Sequence, residues 1–214
     1  MSLFVGTDIG GTFTDLVGFD STTQQLSFGK KLTNRGDLVE GVVSCLQEVG
    51  LAPASIDILK HGTTQVINTL LERRGARTAL VTTAGFRDIL EIGRAGRPVA
   101  FDLDYRREPP LVERELCFEI PERIDARGEV VVALAESALA AVADRLRAAR
   151  VEAIAVSLVN AYINPRHELE TARYLREHLP GCYVSAGCEL SREWFEYERT
   201  STPVANAYIG PRAA

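Results

Sequence analysis

Short apolar runs open the chain: Leu3, Val5 and Ile9 come first, then, after the pair Gly10-Gly11, Phe13, Leu16, Val17 and Phe19. These runs, broken by glycines, lean toward extended structure and predict two strands and a tight turn, with no helix start signal after the turn. Asp20-Ser-Thr-Thr reads as a second turn and residues 25–32 as a third strand, which completes an antiparallel meander. From Asp37 the period changes. Leu38, Val42, Leu46 and Val49 recur at near-helical spacing between an N-capping Asp37 and a stop at Gly50.

The pattern then alternates between the two periods. Residues 56–60 predict a short strand, followed by a helical face of Val66, Ile67, Leu70 and Leu71, opened by Thr63 or Thr64 and closed by Gly75. Residues 77–82 predict a buried strand, and Phe86, Ile89, Leu90 and Ile92 a short helix that ends near Gly93. Two strands over 116–124 and 129–134 flank the turn sequence at Asp125–Gly128. Leu139, Val142 and Leu146 line a helix, and the apolar run 151–159 suits a strand covered on both faces. Asn164-Pro165 opens another helix that Pro180-Gly181 stops, residues 182–186 predict a strand, and Thr202-Pro203 opens a last helix. His167 and His178 fall on the polar side and at the end of their helix, which predicts surface positions. The whole reads as α/β, a mixed sheet flanked by helices.

Composition narrows the function classes. The chain has 214 residues, 46% of them apolar and 25% charged, with a net charge of −5. That balance gives no electrostatic footprint for nucleic acid or an anionic membrane, so a phosphate ligand must be held by local geometry. Cys45, Cys117, Cys182 and Cys188 show no paired metal-ligand spacing and read as reduced thiols of a cytoplasmic protein. No apolar stretch suits a signal peptide or a membrane span.

The candidate chemistry sits on the first turn. Gly10 and Gly11 let backbone N–H groups approach an anion, Thr12 and Thr14 add hydroxyl donors, and Asp8 arrives where a carboxylate can hold Mg²⁺ or orient water. Asp15 is a second carboxylate candidate. The glycine spacing excludes a dinucleotide-binding fingerprint, and no Gly-Lys-Ser/Thr triplet is present for a Walker loop. A bare Gly-Gly turn also suits an ordinary hairpin. His61, Thr63 and Thr64 stand at a helix start, either as the rim of a ligand pocket or as a plain cap with a packed histidine. The long loop after Gly93 carries Arg94 and Arg97, either a clamp for a carboxylate or phosphate or a solvated charged loop.

The phrase DIGGTFTD resembles the first phosphate motif of the superfamily that joins actin, sugar and acetate kinases and heat-shock ATPases. With HGTTQVINTLLERRG at 61–75, ALVTTAGFRDILEIGRAGRP at 79–98, AVSLVNAYINPRHE at 155–168 and YERTSTPVANAYIGP at 197–211, the chain more narrowly resembles the N-terminal region of the hydantoinase/oxoprolinase family. That resemblance implies the ribonuclease H-like lobe of the actin-type ATPase fold, with residues 1–214 as one fragment of a longer chain and 93–135 as a candidate inserted subdomain. It implies ATP and Mg²⁺ as cofactors, phosphoryl transfer to the amide oxygen of a cyclic amide, and ring opening by water. Asp8 would serve Mg²⁺ and phosphoryl transfer, and Gly10, Gly11 and Thr12 would bind phosphate. The partners implied are a C-terminal lobe of the same chain and a B-type subunit or domain. An acetone or acetophenone carboxylase-type subunit and a non-catalytic, nucleotide-switched assembly lobe are the alternatives.

Overall fold

A computed structural model describes residues 2–34, 36–97, 99 and 101–213. Pro98 and Ala100, in the predicted arginine loop, lie outside the described residues. The chain divides into two compact units, residues 1–72 and 73–214.

In the first unit, β1 (Leu3–Ile9), β2 (Phe13–Asp20) and β3 (Gln25–Leu32) form the predicted meander, and β4 (Ile58–Thr63) joins β1 in parallel to give the order β3-β2-β1-β4. The alternation decides which face is buried. Val5 and Leu16 turn inward and pack with Cys45 and Leu46 of α1 (Leu38–Glu48), and Ile9 is buried on the same face. The other face leaves Phe4, Val17, Phe19 and Phe28 exposed. Asp37 caps α1 as expected, its carboxylate accepting from the N–H groups of Val39 and Glu40, each at 3.0 Å. Gly50, at φ +70°, ends that helix.

Two boundaries differ from the sequence reading. β4 runs on through His61, Gly62 and Thr63, because backbone pairing with Thr7, Asp8 and Ile9 of β1 holds these residues extended. The following helix, α2 (Gln65–Leu71), stops short of Gly75, and Arg73 takes a left-handed backbone at φ 52°.

The main sheet of the second unit is all-parallel, with helices between its strands. β5 (Thr78–Thr83), β6 (Cys117–Ile120), β9 (Ala153–Ser157) and β10 (Tyr183–Ala186) lie in the order β10-β9-β5-β6. β5 and β9 are buried throughout, as their apolar runs require. Between the strands come α3 (Ile89–Ile92), the short pair β7 (Arg123–Ile124) and β8 (Val130–Val132), α4 (Glu136–Ala148) and α5 (Arg166–His178), while α6 (Gly187–Leu190) and α7 (Glu196–Ala213) follow β10. No helix among the described residues is long and apolar enough to cross a membrane.

Three sequence expectations are corrected here. The strand expected over 116–124 is two strands in two sheets, because Pro121 has no N–H to continue the ladder and the chain turns at Pro121-Glu122. The last helix starts at Glu196 rather than at Thr202, and Pro203 lies inside it. Tertiary bonds hold its first turns: the Arg199 guanidinium is bound by carboxylates, and the Thr200 hydroxyl meets that of Ser157 at 2.8 Å. His167 is buried, not on the surface, and shares a 2.7 Å hydrogen bond with the buried Glu122.

Candidate functional site

The glycine turn between β1 and β2 is braced from both flanks. Within it Gly10 N–H donates to Phe13 O at 2.9 Å, and a Cβ on Gly10 would stand only 3.1 Å from that oxygen. Beyond the end of β3, the Thr33 hydroxyl donates to Gly10 O at 2.9 Å and Thr33 N–H to Thr12 O at 2.9 Å. At the end of β4, the Thr63 hydroxyl donates to Ile9 O at 3.2 Å. Short residues with hydroxyls therefore fix the loop as a rigid tip. A Cβ on Gly11 would come within 3.0 Å of Asn68 Nδ2, so α2 also limits what this turn admits.

Asp8 is exposed at the end of β1, and the register sets its neighbours. It lies opposite Asp15 on β2 and Gly62 on β4, while Asp15 lies opposite Lys30 on β3. One row across the exposed face thus reads Gly62, Asp8, Asp15, Lys30. Two carboxylates side by side repel each other. Lys30 offsets part of that repulsion with an ion pair to Asp15 at 2.7 Å. Two neighbouring carboxylates on an open face fit a Mg²⁺ that keeps several waters and is shared with phosphate oxygens, since Mg²⁺ needs only one or two protein ligands.

The other predicted site residues take varied positions. Thr12 is exposed at the tip. Thr14 is buried toward α1, its hydroxyl 3.2 Å from that of Thr33. His61 Nδ1 meets the Thr7 hydroxyl at 3.0 Å, Thr63 also accepts from Gln65 N–H, and Thr64 accepts from Asn68 Nδ2 at 3.2 Å. Thr63 and, through its N–H, Thr64 bond Ile9 O beside the glycine turn, whereas His61 is held two residues back along β1, opposite Thr7. Arg94 and Arg97 belong to the second unit, where Arg94 pairs with Glu198 and holds that carboxyl below its usual range. Arg97 lines a cavity of about 340 Å³ together with Tyr105 and Arg107.

Sequence reading missed a buried polar network at the carboxyl end of the second sheet, between β5 and β9. Glu168 accepts from Leu158 N–H at 2.7 Å, Cys188 N–H at 2.5 Å and Arg199 Nη1 at 3.0 Å. Arg199 also donates to Leu158 O and to Glu196. Burial works against its charge, yet the Glu168 and Glu196 carboxylates prevail and raise its pKa above the ordinary value. Thr83 donates to Glu122, the partner of His167, and accepts from Val159 N–H. In doubly wound sheets this crevice is where ligands bind. Here the chain's own side chains fill it. The available signal was the pair of phrases at 155–168 and 197–211, which supply Glu168, His167 and Arg199.

Residues 4–179 match the family model described as the hydantoinase/oxoprolinase N-terminal region. The chain is 35% identical over 216 residues to the caprolactamase subunit alpha of Pseudomonas jessenii, covering 97% of this chain and 31% of that one. It is 29% identical to the 5-oxoprolinase of Saccharomyces cerevisiae, covering 97% of this chain and 19% of the other. Among solved structures, nucleotide-free acetone carboxylase superposes with a TM-score of 0.85 at 26% identity, covering 98% of this chain and 32% of its own. The ATP-dependent caprolactamase of Pseudomonas jessenii superposes with a TM-score of 0.81 at 33% identity, covering 97% and 31%. The chain therefore spans a third or less of the length of these relatives. Motif order, the α/β fold and the match over 4–179 agree: the chain belongs to the hydantoinase/oxoprolinase family, as its N-terminal region.

Proposed function

We propose that this chain is the nucleotide-binding N-terminal part of an ATP-dependent hydrolase that opens cyclic amides through a phosphorylated intermediate. The observation that carries the reading is the Asp8–Asp15 pair on an open face beside a braced glycine turn, in a chain whose relatives include an ATP-dependent caprolactamase. In this reading Gly10, Gly11 and Thr12 receive the phosphates at the turn, and Asp8 and Asp15 hold the metal. A Mg²⁺ ion bound there would neutralise charge that develops on the transferring phosphoryl group. Thr14, Thr63 and Thr64 keep the turn in place, and Arg94 and Arg97 serve the substrate side.

In net terms, ATP, the cyclic amide and two waters yield ADP, phosphate and the ring-opened amino acid. Residues 1–214 contribute one wall of the cleft, residues 93–135 form an insertion, and a C-terminal lobe and a B-type subunit complete the enzyme in the cytoplasm. The four free thiols support a reducing compartment.

In the complete enzyme, Asp8→Asn is expected to lower lactam-dependent phosphate release by about 10²-fold or more, the scale of one lost electrostatic contact to the transition state. Turnover within about threefold of the parent would remove Asp8 from the mechanism. The likeness to acetone carboxylase favours a second reading, ketone carboxylation. Parallel assays with a lactam and with a ketone plus bicarbonate decide between the two.

A further inference from the structure

In the second unit the loop after α3 folds back on that helix. Ala95 N–H donates to Ile92 O at 3.0 Å, and Ala95 takes a left-handed backbone at φ 54°, an uncommon state for a residue with a side chain. The Arg107 guanidinium returns to the same helix end and donates to the carbonyls of Glu91, at 3.0 Å, and Ile92. Together these groups shape the cavity of about 340 Å³, which is lined by Glu91, Ile92, Ala95, Arg97, Tyr105 and Arg107. That volume lies within the range of small-molecule sites.

The charged groups of this cavity are the informative feature. Arg94 is committed to Glu198, and Arg107 to the helix end. Among the described residues the side chains of Arg97 and Glu91 form no hydrogen bond or ion pair, although they carry opposite charges and line one cavity. Two opposite charges that share a space without meeting leave room for a molecule that satisfies both. A guanidinium binds a carboxylate through two parallel N–H bonds, and the Glu91 carboxylate can accept from an N–H. Ile92, Ala95 and the half-buried ring of Tyr105 offer apolar surface for the carbon skeleton that joins those two groups. With Arg97 and Arg107 set against Glu91, positive charge prevails, which favours an anion.

We propose that this cavity is a recognition site for a cyclic amide that carries a carboxylate, with Arg97 on the carboxylate and Glu91 on the ring N–H. This rests on the hydrolase reading above and narrows it, because a neutral lactam would leave the Arg97 charge unmatched. Arginine suits the task through its rigid fork of donors, which lysine lacks.

The test is calorimetric titration of the chain with 5-oxoproline, with 2-pyrrolidone, which lacks the carboxylate, and with 1-methyl-5-oxoproline, which lacks the ring N–H. The parent is expected to bind 5-oxoproline about tenfold or more tighter than either analogue, the scale of one lost charge-assisted contact. Arg97→Met should erase the preference over 2-pyrrolidone, and Glu91→Leu that over the N-methyl compound, each leaving the other preference in place. Both side chains are exposed, so thermal unfolding of each variant should match the parent. Equal affinity of the parent for all three compounds, or no binding of 5-oxoproline at millimolar concentration, overturns the inference, and so does a preference that survives its variant. Lactam-driven phosphate release by the complete enzyme separates the two readings. If parent and Arg97→Met release phosphate with the same KM for 5-oxoproline, the cavity assignment is wrong and the hydrolase reading stands, whereas no release with any lactam sinks both.

Discussion

Replacing Arg199 by methionine tests what holds the second unit together. The guanidinium is fully buried, bonded to Glu168, Glu196 and the carbonyl of Leu158. Methionine fills similar volume but leaves the Glu168 carboxylate buried with only two backbone donors, Leu158 N–H and Cys188 N–H. Removing one partner of a buried pair costs about 3–5 kcal/mol. That is a large share of the roughly 5–15 kcal/mol that stabilises a domain, and corresponds to a fall in melting temperature of about 10–15 °C. Lysine should not rescue it, because a point charge cannot reach both carboxylates and the carbonyl at once. The measurement is urea unfolding followed by far-UV circular dichroism, with Arg147→Met as control. Arg147 makes an exposed pair with Asp144, so its loss should cost no more than about 1 kcal/mol. A midpoint for Arg199→Met as close to the parent as that of the control would refute the reasoning.

Other outcomes follow from individual contacts. A Cβ on Gly75 would fall 2.2 Å from ring carbons of the buried Tyr208, so Gly75→Ala should destabilise by about 1–3 kcal/mol, and a second change, Tyr208→Leu, should recover part of it. The bidentate Arg176 holds the Glu189 carboxyl below the ordinary glutamate value of 4.5. A depressed folded pKa means that this pair's stabilisation is complete above 4.5 and is lost as pH falls through the lower folded value. Glu189→Gln should therefore narrow the stability gap to the parent in acid, and an equal gap at pH 7 and in acid would contradict this. Burial pushes the Cys117 thiol up to about 11 and that of Cys188 up to about 12, so both should resist alkylation at neutral pH until the protein unfolds. Rapid labelling of the native chain would show that these sites open.

The sequence determined the local elements wherever one period dominated. The meander, the Asp37 cap, the Gly50 stop and the buried β5 and β9 follow from spacing and from residues with a single backbone preference. The glycine turn and Asp8 were legible for the same reason: few residue types suit a close backbone approach or the end of a strand beside it. Tertiary structure decided the rest. His167 reads as polar and exposed by helical position, yet Glu122 arrives from the connection between β6 and β7 to receive it. Pro203 signals a helix start, yet Arg199 and Thr200 are anchored by residues distant in sequence, and the helix extends back past the proline. The pairing of Asp8 with Asp15, and of Gly62 with Asp8, depends on strand register. Local pattern can name the face a residue occupies, whereas only the assembled sheet decides which side chains share a row, because that choice depends on which strands lie side by side.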